Sequence, residues 1–354
     1  MAAASSLNGP NPHNGSFGGM ALKPEQARLI LIAMPWEATV SYGTGTSRGP
    51  QAILDASPKM DFHNELFPEF WKKAGLAFLP PAKEWQAEND RVRPLAARAI
   101  AAQEGALQVP PQELAGLLDK VNTSCTAMTA HIEHEAARWL AAGKVVGVVG
   151  GDHSTPLGLI RALAKNHTTM GILHIDAHAD LREVFEGFPY SHASVMFNAL
   201  KEPAVTRLIQ VGIRDFCEEE VQRVTESTGR VRMFTASALH RRAAAGKTWQ
   251  EQVRDIIADL PQVVYISFDI DGLDPLLCPH TGTPVPGGLA FEDAMYLIEQ
   301  VALSGRTIAG FDVCEVAPGP DGNEWDANVG ARVVYRLACA TAASQKWLTP
   351  AALE

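Results

Sequence analysis

Acidic and histidine side chains recur at short, regular spacing in three segments of the sequence. The segments are Gly150-Gly-Asp-His-Ser154, Asp176-Ala-His-Ala-Asp180 and Asp269-Ile-Asp-Gly-Leu-Asp-Pro275. Residues two apart on an extended backbone point to the same side. The side chains that could converge on one spot are therefore His153, Asp176, His178, Asp180, Asp269 and Asp271.

The chemistry that suits this set is the binding of two divalent metal ions. Clustered carboxylates repel one another and cannot all ionise without compensating positive charge, which two divalent cations supply. An oxygen-rich set with imidazoles and no cysteine favours Mn(II) or Ni(II) over a structural zinc. Two ions about 3.5–4 Å apart can share a water and generate hydroxide at neutral pH. Taken singly, each segment could instead be a turn or a helix cap.

The elements that must position these residues follow from apolar runs that alternate with helical patterns. Strands are predicted over residues 28–34, 145–149, 171–175, 208–212, 231–234, 263–268 and 307–313. Helices are predicted over residues 112–142, 155–164, 249–260, 291–304 and 325–344, the first interrupted near 122–124. Apolar strands alternating with helices predict an α/β, three-layer αβα sandwich with a mostly parallel, doubly wound sheet.

In such a sheet, ligands bind outside the carboxyl ends of the strands. All three segments lie at predicted strand ends, as does Glu315. His174, inside a strand, is expected to be a core residue or a support for the ligands. Residues 1–23 are predicted to form a flexible tail and residues 24–354 a single catalytic domain, with residues 80–90 as a surface excursion.

Composition excludes several classes of protein. The 354 residues carry 30 Lys and Arg against 40 Asp and Glu, a net charge of -10, which argues against a nucleic-acid binder. No apolar run reaches the ~18 residues that span a membrane. The five cysteines contain no CxxC pair, which predicts a reduced, cytoplasmic protein.

The three segments together resemble the signature motifs of the ureohydrolase family, which includes arginases and agmatinases. The resemblance covers about residues 28–345 and extends to Ser41-Tyr-Gly-Thr-Gly-Thr46, Ser191-His-Ala193, Thr281-Gly-Thr-Pro284 and Trp325-Asp-Ala-Asn-Val-Gly-Ala-Arg332. It implies an arginase-like fold and a hydrolase of linear amidines that uses two divalent ions, Ni2+ or Mn2+, and releases urea. It also implies a homo-oligomer, trimer or hexamer, or a hetero-oligomer with a paralogue.

The resemblance assigns a role to each matched residue. One ion would be held by His153, Asp176, Asp180 and Asp269, and the other by Asp176, His178, Asp269 and Asp271. Asp180 would also accept a hydrogen bond from the attacking hydroxide. His192 matches the proton-shuttle histidine, and Glu315 matches the glutamate that pairs with the cationic substrate. A carboxylate suits that task because it accepts two parallel hydrogen bonds from a planar guanidinium.

The substrate is less closely defined by the sequence. Arg182 stands where arginases carry an asparagine that reads the amino-acid head group, which counts against arginine. His280 occupies a loop position that is often glycine in agmatinases, and it would either narrow the pocket or face solvent. We favour a small guanidine: free guanidine, an N-alkyl guanidine or a biguanide such as metformin. Agmatine is the alternative.

Two other classes of function are open from the sequence. Single-zinc deacetylases share part of the ligand set on a similar architecture. A non-catalytic partner subunit would have an interaction role only, and such paralogues usually lose metal ligands. The presence of all six ligand positions, with His192 and Glu315, argues against both.

Overall fold

Eight parallel strands form one sheet in the computed structural model, which describes residues 11–352. In chain order the strands are β1 Leu29–Met34, β2 Leu76–Phe78, β3 Val145–Gly150, β4 Met170–Ile175, β5 Val205–Ile213, β6 Val231–Thr235, β7 Val263–Asp269 and β8 Thr307–Cys314. Their order across the sheet is β2-β1-β3-β8-β7-β4-β5-β6. The last strand in sequence therefore lies in the middle of the sheet, hydrogen-bonded to β3 and β7.

Helices pack on both faces of this sheet. They are α1 Gly49–Ala56, α2 Phe70–Lys73, α3 Lys83–Gln103, α4 Pro111–Ala141, α5 Leu157–Ala164, α6 Val195–Ala199, α7 Glu218–Glu226, α8 Ala236–Ala244, α9 Trp249–Ala258, α10 Phe291–Leu303 and α11 Trp325–Ser344. Successive residues of a strand point to opposite faces, so Val148 packs in the core beneath α4 and α5 while Val149 packs in the core beneath α10 and α11. The predicted three-layer architecture is confirmed. No helix within residues 11–352 has the length and apolarity needed to cross a bilayer.

The region from 80 to 103 differs from the sequence-based prediction. Most of the expected surface excursion at residues 80–90 belongs to α3, which buries Val92, Ala96 and Ala99. This spacing of four and three residues is helical. The many charged residues between them make the apolar periodicity difficult to recognise in the sequence. The predicted interruption of α4 near 122–124 is absent, since the helix runs from Pro111 to Ala141. Within it, Ser124 Oγ donates to Glu88 Oε1 at 2.6 Å.

Part of the predicted N-terminal tail packs against the domain. Residues 1–10 lie outside the described residues, but Phe17 is buried and its ring stacks on that of Phe78 at 6.0 Å. The Gly18 amide donates to Ser57 Oγ at 2.8 Å. Gly18 has φ +63°, and a Cβ there would lie 2.4 Å from the Phe62 ring, so glycine is required. The prediction of a loose tail is therefore wrong for residues 17–19, whose apolar contacts are too distant in sequence to be foreseen.

Candidate metal centre

The carboxyl ends of β3, β4, β7 and β8 lie side by side at the centre of the sheet. His153 follows β3, Asp176 follows β4 directly, Asp269 ends β7 and Glu315 follows β8. The chain order of these residues is scattered, but the parallel pairing of the four strands brings them to one edge. This is the edge at which ligands bind in open α/β sheets.

The deep part of the site surrounds the imidazole of His153. His153 Nδ1 lies 3.0 Å from Asp176 Oδ2, 3.0 Å from Asp180 Oδ2 and 3.3 Å from Asp269 Oδ2. This buried nitrogen makes no hydrogen bond to any described residue. Its other nitrogen, Nε2, is 2.9 Å from Ser267 Oγ. Three carboxylate oxygens around one unpartnered ring nitrogen form a donor set that fits a divalent cation.

The shallow part of the site is built on His178. His178 Nδ1 lies 3.1 Å from Asp271 Oδ2 and 3.5 Å from Asp176 Oδ1. Asp176 thus directs one carboxylate oxygen towards each part of the site, as the predicted bridging role requires. Asp269 Oδ2 faces the deep part, while its Oδ1 accepts the Asp271 amide at 2.9 Å. The bridging roles of Asp176 and Asp269 both stay predictions.

Left-handed backbone occurs at two of the candidate residues, Asp180 at φ +53° and Glu315 at φ +63°. This conformation is unfavourable for residues other than glycine and is retained where surrounding structure fixes it. The Asp180 carbonyl accepts the amides of Met196 and Phe197, both at 3.1 Å. The Glu315 amide donates to the Gly151 carbonyl at 2.8 Å.

The carboxylates of the site lie close enough together to repel one another. Burial, together with the Asp176 carboxylate, raises the pKa of Asp180 to about 6. Burial opposes a charge on His178, but Asp271 and Asp176 outweigh that effect and raise the pKa of His178 to about 12. Burial, together with the Asp152 carboxylate, also raises the pKa of Glu315. Divalent ions would relieve this repulsion.

A small cavity opens onto the shallow part. Its volume is about 170 Å³, and its walls include His178, Asp180, Arg182, Phe185 and His192. The His192 ring meets the Phe185 ring edge-on at 5.8 Å, and its buried Nδ1 has no hydrogen-bond partner among the described residues. Burial and the neighbouring His178 lower the pKa of His192 to about 3. The structure thus brings His192 together with two candidate ligands.

Glu315 lies beside this assembly and is 5% exposed. Its Oε1 accepts the His153 amide at 2.8 Å. A Cβ on Gly282 would lie 3.4 Å from Oε2, so the glycine keeps space open beside that oxygen.

His280 lies apart from the small cavity. It lines a separate cavity of about 650 Å³ with Tyr42 and Arg48. Its Nδ1 is 2.8 Å from Asp326 Oδ2. Gly43 and Gly282 line the same cavity as His280, and the Gly43 amide donates to the Gly282 carbonyl at 2.9 Å. His280 is thus a predicted site residue that lies in a separate cavity, where its ring contacts Asp326.

Two buried residues that support the site were not recognised in the sequence. Asp312 Oδ1 lies 3.6 Å from His153 Nε2, and Gln210 hydrogen-bonds to His174 Nδ1 at 3.0 Å. The available signal was a polar residue inside an otherwise apolar strand, since such a residue needs a buried partner. His174, expected in the core or beside the ligands, contacts Asp176 Oδ2 at 2.7 Å.

Comparison with known proteins fits this geometry. A sequence model described as the Arginase family matches residues 27–340. The chain belongs to the arginase family. It is 31% identical over 333 residues to the N(1)-aminopropylagmatine ureohydrolase of Thermus thermophilus, covering 94% of this chain and 97% of that relative. It is 30% identical over 278 residues to a guanidinobutyrase of Pseudomonas aeruginosa, covering 75% and 81%.

A solved structure has the same arginase-family fold. The agmatine ureohydrolase of Thermoplasma volcanium aligns with a TM-score of 0.72 at 22% identity, covering 94% of this chain and 96% of that one. The protein is thus an arginase-family hydrolase of guanidino compounds. This membership favours the ureohydrolase over the deacetylase and the non-catalytic subunit. The family's divalent metal chemistry fits the unpartnered His153 Nδ1 and the carboxylates around it.

Proposed function

We propose that this enzyme hydrolyses the C–N bond of a small guanidine-type compound and releases urea with an amine or ammonia. The observation that carries the proposal is the cavity of about 170 Å³ beside the candidate ligands. Pockets for drug-sized ligands have volumes of roughly 300–1,000 Å³. A cavity of this size suits a substrate of few heavy atoms, such as free guanidine, an N-alkyl guanidine or a biguanide.

The positive charge of Arg182 at the cavity favours a small guanidine without a charged tail. Arg182 lines it, with its guanidinium 4.9 Å from the centre of the Phe185 ring. A second positive charge on a substrate tail would be repelled there. This disfavours agmatine and aminopropylagmatine, whose tails end in amines.

The metal would be held by His153, Asp176, His178, Asp180, Asp269 and Asp271. Two bound ions supply Lewis acidity and lower the pKa of water to near neutrality. The ligand types suit nickel and manganese equally well, so we propose Ni2+ or Mn2+.

Glu315 and His192 would act on the substrate itself. The Oε2 atom of Glu315 lies beside Gly282, which lines the cavity of His280 and not the small cavity. It would accept a guanidinium N–H from a substrate bound next to the ions. His192 is half-buried and borders the small cavity beside His178, a position from which it would deliver a proton to the leaving amine. His280, held by Asp326 in the neighbouring cavity, would influence the substrate only through the loop between the two cavities.

Agmatine is the second candidate, and one observation favours it. Asp215 lines the same small cavity and its side chain is 69% exposed. An amine tail that extends out of the cavity could pair with this carboxylate. Trimeric or hexameric assembly and a cytoplasmic location stay predictions.

The test is urea release by nickel-loaded and manganese-loaded enzyme against guanidine, N,N-dimethylguanidine, metformin, agmatine, guanidinobutyrate and arginine. We expect a higher kcat/KM for one of the first three than for agmatine. Arg182→Ala should raise kcat/KM for agmatine relative to guanidine about fivefold to tenfold, because it removes a repulsive charge. Arg207→Ala, at an exposed arginine on β5, is the control. Faster hydrolysis of agmatine than of every short guanidine by the unmodified enzyme would contradict the proposal.

A further inference from the structure

A buried chain of hydrogen bonds lies beneath the candidate metal centre. Gln210 on β5 and His174 on β4 are paired across the sheet. Gln210 Nε2 lies 2.6 Å from the Ala179 carbonyl and 3.0 Å from His174 Nδ1. His174 Nε2 lies 2.7 Å from Asp176 Oδ2. The three side chains are at most 1% exposed, so water does not compete for these bonds.

The surroundings decide where the protons of this chain lie. A carbonyl oxygen only accepts hydrogen bonds, so the Gln210 atom that faces Ala179 must be the amide nitrogen. The second hydrogen of that nitrogen points to His174 Nδ1, which must then accept. A neutral imidazole with an accepting Nδ1 carries its proton on Nε2. His174 therefore donates from Nε2 to the Asp176 carboxylate.

We propose that His174 and Gln210 are positioning residues that fix the orientation of the Asp176 carboxylate. The inference rests on the proposed function in one respect, the role of Asp176 as a metal ligand. Asp176 Oδ2 faces His153 Nδ1, and Oδ1 faces His178 Nδ1. Rotation of the carboxylate would spoil both contacts at once. A donor held at Oδ2 by a rigid neighbour prevents that rotation.

An alternative use of His174 is direct ligation, since its Nε2 lies near the ligand atoms of His153, Asp176 and Asp180. Ligation requires a lone pair on Nε2, however, and the proton position derived above leaves none there. Gln210 excludes ligation because its hydrogen bond to His174 Nδ1 uses the lone pair there and leaves the ring proton on Nε2. The two interpretations differ in the number of imidazoles around the ions, which spectroscopy can count.

The test compares His174→Phe, Gln210→Leu and the double variant, with Ile172→Val as the matched control. Ile172 is buried on the same face of β4 and carries no polar atom. Metal-free protein is titrated with Mn(II), and free Mn(II) is measured by electron paramagnetic resonance. His174→Phe should weaken Mn(II) binding about tenfold to a hundredfold, the usual effect of removing a partner of a metal ligand. Gln210→Leu should have a smaller effect, and the double variant should match His174→Phe because both act through one contact.

Unchanged Mn(II) affinity in His174→Phe would overturn the proposal. An affinity in Gln210→Leu equal to that of Ile172→Val would overturn the part assigned to Gln210. Thermal unfolding of the metal-free variants separates lost binding from lost folding, and Gln210→Leu carries the test if His174→Phe does not fold. Loss of an imidazole signal from the Co(II)-loaded His174→Phe spectrum would show ligation instead.

Asp176→Asn separates this inference from the proposed function. Unchanged Mn(II) affinity in Asp176→Asn would refute the ligand assignment itself. Weak binding in Asp176→Asn with normal binding in His174→Phe would refute only the positioning role. Neither readout depends on which guanidine compound is the substrate.

Discussion

The deep and shallow parts of the candidate metal centre use similar ligands in different surroundings. In the deep part, the side chains of His153, Asp180 and Asp269 are 1%, 6% and 4% exposed. In the shallow part, the side chain of His178 is 24% exposed and lines the small cavity. His153, the imidazole of the deep part, is enclosed by buried contacts, whereas His178, the imidazole of the shallow part, faces the space into which a substrate would enter. Asp180 also lines that space, and Asp271 is buried.

From this difference we expect the two ion positions to differ in how firmly they bind an ion and in how easily a substrate reaches them. Donors fixed by their surroundings need little reorganisation to bind an ion, so the deep position should hold its ion more firmly. The shallow position has an open side, which a substrate or water can approach. Asp176 links the two, because each of its oxygens faces one part.

The largest effect is expected from a ligand that belongs only to the shallow part. Asp271→Ala should reduce the metal content from about two ions per chain to about one and abolish measurable urea release. A loss of about a thousandfold or more is expected, because each ion contributes several kcal/mol to transition-state stabilisation. Metal analysis and urea assays check this. Asp274→Ala, a nearby acidic residue outside the ligand set, is the control, and full activity of Asp271→Ala would refute the two-metal assignment.

The rates at which a chelator removes the two ions should sharpen the comparison. With excess EDTA, we expect two phases, the shallow ion leaving at least about tenfold faster, which corresponds to a barrier difference of ~1.4 kcal/mol. The physical reason is burial, since the chelator reaches His178 directly but reaches His153 only after local opening. Stopped-flow measurement with Co(II)-loaded enzyme follows both phases. Release of both ions in one phase would mean that the two parts do not differ.

The smallest effect is expected at the loop that borders the shallow part. Burial and the Glu104 carboxylate raise the pKa of Glu186 to about 7. The folded chain therefore binds a proton there more tightly than the unfolded chain, so stability falls as pH rises from about 4.5 to 7. Glu186→Gln should raise Tm at pH 8 and change it little at pH 5, as thermal unfolding can measure. Glu183→Gln is the control, and an equal Tm change at both pH values would contradict this assignment.

The sequence predicts the parallel sheet, apart from the short strand β2, because apolar strands are local patterns. The metal-ligand set also comes from local spacing, and it stays a prediction. Apolar strands such as β3 and closely spaced ligands such as Asp176 and His178 are visible in short segments. Phe17 is different: its burial depends on Phe62 and Phe78, more than 40 residues away. The position of His280 likewise involves a contact with Asp326, 46 residues away in the sequence. Contacts of that kind leave no periodic signal in the chain.

The position of β8 has a consequence for how the chain acquires its structure during synthesis. The ribosome makes β3 and β7 before β8, yet β8 must fit between them and complete both edges. Until residues 307–314 have emerged, two central strands expose unpaired backbone groups, which are templates for association with other chains. We therefore expect the nascent chain to be more prone to association with other chains before β8 has emerged than after it.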